Sequence, residues 1–162
     1  MSKIPAARPM SLRDKISGPH AVPIARLVER GEAASLRIQK DFDGFLQQRV
    51  AELEGLLDTL DGDTTCNEVR NNVFTIVLDI RGSSALAGKP LVGTICSTFE
   101  TLLQQRDPAD PRMKAAIASH TAALNLVMAK GALDEESSRL LTGELSRAVD
   151  CLPLKKQDFP AI

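Results

Sequence analysis

The chain has 162 residues, 43% of them hydrophobic and 25% charged, which is an ordinary globular composition and enough for one domain with a sizeable core. Its net charge of −1 gives no overall attraction to nucleic acid or anionic lipid, and an aromatic share of 3% without Trp or Tyr leaves few rings for base stacking. Three cysteines without C-x-x-C spacing (Cys66, Cys96, Cys151) read as reduced thiols rather than a disulfide or zinc framework, and no apolar run is long enough to span a bilayer.

In chain order, residues 1–23 hold Pro5, Pro9, Gly18, Pro19 and Pro23 among polar residues, which predicts an irregular arm docking through Met10, Leu12 and Ile16. No apolar signal-peptide core is visible there, so a cytoplasmic location is expected. From Ile24 to about Leu60 apolar residues recur at helical spacing, predicting one long helix or two with a break near Gly31 or Gly44. Asp61-Gly62-Asp63 is a stop, and Thr65 with Glu68 makes a capping-box start for a second helix over about Cys66 to Ala87. Gly88 ends it, and Pro90 opens a third helix to about Gln105. Asp110 as N-cap and Pro111 at the first helical position introduce a fourth, Arg112 to Lys130, which Gly131 ends. Asp134 caps a fifth, Glu135 to about Leu152. Nothing alternates with period two. The expected fold is all-α, an up-down antiparallel four-helix bundle over 24–152 with an N-terminal arm and a loose tail over 153–162.

The second helix carries the functional question. At about 100° per residue, Val69, Val73, Ile76, Ile80, Ser83 and Ala87 form a core stripe, and Leu78 falls roughly opposite its centre. Phe74, Arg81, Gly82, Ala85 and Lys89 surround it. A mid-helix glycine costs about 1 kcal/mol relative to alanine, a cost a helix accepts most readily where something approaches closely. Two readings of Leu78 stand open: it is covered by the N-terminal segment as a second small core, or it serves a partner from an exposed Leu78–Phe74–Ala85 patch.

The stretch Leu78-Asp-Ile-Arg81-Gly82-Ser83-Ser84, with Gly88 ten residues after Leu78, resembles the signature of histidine-containing phosphotransfer (HPt) domains. Gly88-Lys-Pro90-Leu91-Val92 and Ile117-Ala-Ser-His120-Thr-Ala-Ala are similar to the continuation seen in a bacterial subgroup of stand-alone HPt proteins. The resemblance spans roughly residues 25–150. It implies a four-helix bundle whose second helix exchanges a phosphoryl group with receiver domains, a basic residue at +3 offering charge and a glycine at +4 making room. Here the phospho-accepting position is Leu78, which has no nucleophilic nitrogen, so phosphotransfer through it is chemically excluded.

The two remaining histidines do not replace it. His20 lies in the arm without a basic neighbour at helical spacing, and His120 is in register with Met113, Ile117, Leu124 and Val127 as a core residue. Ser83-Ser84 lacks a histidine–acid partner, and the acidic start at Asp134, Glu135 and Glu136 suits the helix dipole better than catalysis. No catalytic set, metal site or cofactor is expected. The implied partner is a response-regulator receiver domain or histidine kinase, bound through Phe74, Leu78, Arg81, Gly82, Ala85 and Lys89. The alternative is a structural bundle that binds its own copy or an unrelated protein.

Overall fold

The computed structural model describes residues 23–59 and 66–156. These residues form five α-helices in chain order: α1 (Ile24–Thr59), α2 (Asn67–Ser84), α3 (Pro90–Gln105), α4 (Met113–Lys130) and α5 (Glu135–Asp150). Strands are absent among them, apart from an isolated antiparallel bridge between Arg106 and Leu154. Of the arm expected over residues 1–23, residues 1–22 with Met10, Leu12, Ile16 and His20 lie outside the described residues, as does the stop expected at Asp61-Gly62-Asp63. The chain divides into two units, residues 1–38 and 39–162.

In the first unit the described residues are helical, without a break at Gly31, and nearly all exposed. In the second unit a single core gathers Leu46, Val50 and Leu53 of α1 with Val73, Ile76, Val77 and Ile80 of α2. Val92, Ile95, Phe99 and Leu102 of α3 join them, with Ile117, Leu124 and Val127 of α4 and Leu145 and Val149 of α5. The most apolar helix, α3, packs against α2, α4 and α5. Its neighbour α2 runs antiparallel to it: Arg70 donates to the Leu103 carbonyl at one end, while Ser84 meets Gly93 at the other.

The helix boundaries follow local chemistry. Gly88 takes φ +69° while the Lys89 N–H bonds the Ser84 carbonyl and the Gly88 N–H bonds the Ala85 carbonyl, a Schellman closure that stops α2. Pro90 then occupies the first turn of α3, where its missing N–H costs nothing. Gly131, at φ +76°, stops α4. The Asp134 carboxylate accepts from the Ser137 N–H and caps α5, and the Ser137 hydroxyl, followed by that N–H, draws its pKa below the usual carboxylate value.

Four expectations need correction. α2 has Cys66 as N-cap with no side-chain cap bond, and Thr65 lies outside the described residues. α4 begins at Met113 rather than Arg112, because Asp110 Oδ1 accepts the Arg112 N–H in a turn that precedes the helix. The buried serine of α2 is Ser84 rather than Ser83, and Val77 joins the stripe, so the core face is centred nearer Val73, Val77 and Ile80. The tail is tied down as far as residue 155. The Asp107 N–H bonds the Pro153 carbonyl, the Lys155 N–H bonds the Gln105 carbonyl, and Leu152 just before them is buried. Backbone groups freed where α3 ends recruit this strand-like segment as their partner.

Candidate functional site

The outward face of α2 is set by the period of its inward face. With Val73, Val77, Ile80 and Ser84 directed at the core, Leu78 lies about 140° away and Gly82 about 180° away at 100° per residue. Leu78 is 43% exposed, although it sits mid-helix between the fully buried Val77 and Ile80. Gly82, one turn on, is exposed, and a β-carbon there would meet no atom within 4 Å. Ala85 is exposed on the same side. The clearing beside Leu78 is therefore open.

Phe74 stands differently from its neighbours. It is half-buried and packs against the hydrophobic core, so it supports the edge of this face rather than forming an exposed patch with Leu78. Its position about 100° from the core direction puts it at the boundary between the buried and exposed sides of the helix. Leu86 takes its place as exposed apolar surface, at 51%. The helix expected to run to about Ala87 ends at Ser84, and Leu86 lies in the turn that follows it.

The two cations expected beside Leu78 are already engaged. Arg81 Nη1 lies 2.5 Å from Glu100 Oε2 on α3, and Glu100 is largely covered. Lys89 Nζ lies 3.0 Å from Asp43 Oδ1 on α1. A third pair joins Asp79 of α2 to Arg49 of α1 at 2.9 Å, with Arg49 also bonded to Glu52 and stacked over the Phe45 ring at 5.2 Å. The acids Asp43, Glu100 and Asp79 complete a border of paired charge around α2. Their spacing in the sequence carries no local signal, because each bond is made between helices.

His120 is in the core. It is fully buried, its ring centroid 5.0 Å from that of Phe99 and Nδ1 2.8 Å from the Ala116 carbonyl, which makes Nδ1–H the donor. Nε2 is buried without a hydrogen-bond partner among the described residues. Burial pushes the imidazole pKa below its ordinary value, opposed by the Ala116 bond. Cys96, also buried, has its thiol pushed up to about 12 by burial and then by Glu100. Cys66, Cys96 and Cys151 are all free thiols.

An open groove of about 630 Å³ lies between α1 and α4, lined by Glu54, Leu57, Lys114, Ala118 and Asn125 among others. Asn125 donates to Glu54 there; Ala118, Thr121 and Ala122 of the family-like stretch on α4 line it, whereas none of the expected partner-binding residues of the α2 face does. Among the described residues no three His, Cys, Asp or Glu side chains converge on a possible metal position, and no helix is long and apolar enough to cross a membrane. No family model, curated protein or solved structure matches the chain.

Proposed function

We propose that this chain is an HPt-like protein of two-component signalling that binds a response-regulator receiver domain or a histidine kinase without relaying phosphate. In this reading residues 24–152 make the up-down four-helix bundle of that family together with an extra helical segment. The observation that carries it is the exposure of Leu78 one turn from the open clearing at Gly82. A side chain held at that place on a rigid helix meets a docking protein first, and leucine offers it apolar contact but no nitrogen for phosphate.

The mechanism is occupancy. Leu78, Gly82, Ala85 and Leu86 supply the contact surface, and the Arg81–Glu100 and Lys89–Asp43 pairs form its polar border. Acidic groups of a partner would compete with Glu100 and Asp43 for those cations, so such contacts set orientation and salt dependence more than affinity. The test combines titration against the receivers and kinases of the host with a transfer assay from phosphorylated receivers. Saturable binding that Leu78→Asp weakens, without label on the chain, supports the reading. Acid-labile phosphate on the wild-type chain overturns it, as does the absence of affinity for every receiver and kinase.

The exposed pair Leu78 and Leu86 favours one second reading, a bundle that uses this face to bind its own copy. It predicts a dimer in light scattering that Leu78→Asp dissociates, with receivers ignored.

A further inference from the structure

We propose that residues 24–38, the first half of α1, form a homodimerisation helix that pairs in parallel with the same segment of a second copy. Ile24 is 69% exposed, Val28 53% and Ile38 49%, and only Leu27 in this stretch is even partly covered. At 100° per residue Ile24, Leu27, Val28, Gly31, Ala34, Ser35 and Ile38 all fall within about 60° of one direction. They make a continuous stripe with its small residues in the middle and its large ones at the ends. A lone helix of this length is marginal in water, and Gly31 weakens it by about 1 kcal/mol relative to alanine. A β-carbon on Gly31 would meet nothing within 4 Å, so another backbone has room to approach.

The charges beside the stripe select the occupant. Arg30 and Arg37 lie about 100–120° to one side of its centre, and Glu32 lies about 100° to the other. In a parallel, in-register pair the arginine flank of each helix meets the glutamate flank of its partner. Arg30 and Glu32 then differ in height by about 3 Å, within reach of the guanidinium, and the two-fold axis makes this pair twice. In an antiparallel pair like flanks meet, which sets arginines against arginines. Among the described residues Arg30, Glu32 and Arg37 hold no ion pair within their own chain, so the complement is supplied by a second copy. Three arginines against two glutamates over residues 24–38 leave too little positive charge to favour an anionic membrane surface instead.

Sedimentation velocity on the full-length chain tests this. The wild type should show a reversible dimer. Ile24→Asp with Val28→Asp should weaken it by at least about a hundredfold, since two aliphatic side chains leave the interface, with the thermal unfolding of the core unchanged. Orientation is read by cysteine cross-linking in a Cys66→Ser, Cys151→Ser background. Ile24→Cys should oxidise to a covalent dimer with itself, because identical positions face each other only in the parallel pair. Cross-linking of Ile24→Cys chains only to Ile38→Cys chains overturns the parallel arrangement. A wild type that stays monomeric at its highest soluble concentration overturns the proposal, as does a dimer that survives Ile24→Asp with Val28→Asp or that Leu78→Asp dissociates.

Discussion

Gly93 on α3 lies so close to Ser84 on α2 that a β-carbon at position 93 would stand 2.7 Å from the Ser84 hydroxyl oxygen. That hydroxyl donates to the Arg81 carbonyl at 2.7 Å, so it cannot swing aside without giving up its bond. The contact sets the spacing of α2 and α3 beneath the Arg81–Gly82 face.

The first prediction follows from that contact. Glycine to alanine in a free helix gains about 1 kcal/mol, whereas overpacking a close contact costs about 1–3 kcal/mol. Gly93→Ala should therefore destabilise the protein by about 1 kcal/mol net in urea unfolding. Adding Ser84→Ala, which removes the obstructing oxygen, should recover the loss and give a double variant more stable than Gly93→Ala alone.

At position 78 the prediction separates stability from binding. Leu78 is exposed, so Leu78→Asp should leave unfolding within about 0.5 kcal/mol of wild type while weakening receiver or kinase binding. Leu78→His puts a nitrogen back where the resemblance locates the phosphohistidine. Incubated with a phosphorylated receiver that binds this face, it should take up acid-labile label that the wild type does not. An unlabelled Leu78→His chain that still binds the receiver would show that the slot is not in register with the receiver's phosphate.

The Arg81–Glu100 pair should behave as a unit. Glu100 is mostly covered, so Arg81→Ala leaves a carboxylate without its cation. The midpoint of urea unfolding should fall further for Arg81→Ala than for Arg81→Ala with Glu100→Ala, a non-additivity that a double-mutant cycle measures directly.

His120 makes stability depend on pH. Its folded pKa lies below the ordinary 6.5 because burial disfavours the imidazolium, and the Ala116 carbonyl offsets only part of this. No charged group from a neighbouring helix contributes to that shift. Below about pH 6.5 the unfolded chain binds a proton that the folded chain resists, so stability falls on acidification. It is fully present above that pH and is lost towards the lowered folded value, with a slope of at most about 1.4 kcal/mol per pH unit. His120→Leu should flatten the curve of unfolding free energy against pH over that window.

Thiol reactivity offers a check on the core. With its pKa at about 12 and no exposure, Cys96 should resist a disulfide reagent at mildly alkaline pH until the protein unfolds. Exposed Cys151 should react in the folded state, and a Cys151→Ser variant should lose that phase.

The sequence by itself determined the all-α class and several helix boundaries, the stops near Gly88 and Gly131 and the starts at Pro90 and after Asp134, while the starts of α2 and α4 came out differently. Gly88, Pro90, Gly131 and Asp134 act through their own φ preferences, missing N–H or side-chain caps, and these effects are complete within a few residues. It also set the inward phase of α4, so His120 was legible as a core residue from its register with Ile117, Leu124 and Val127. The outward phase of Leu78 followed in the same way from the stripe on its own helix, whereas its 43% exposure was decided by the structure. Tertiary structure decided the rest. Glu100 and Asp43 claim Arg81 and Lys89, Gly93 makes Ser84 rather than Ser83 the buried hydroxyl, and the end of α3 captures the segment after Leu152. Those choices depend on which side chains and carbonyls lie within bonding distance once α1, α2, α3 and α5 have packed, and a local pattern contains no term for that distance.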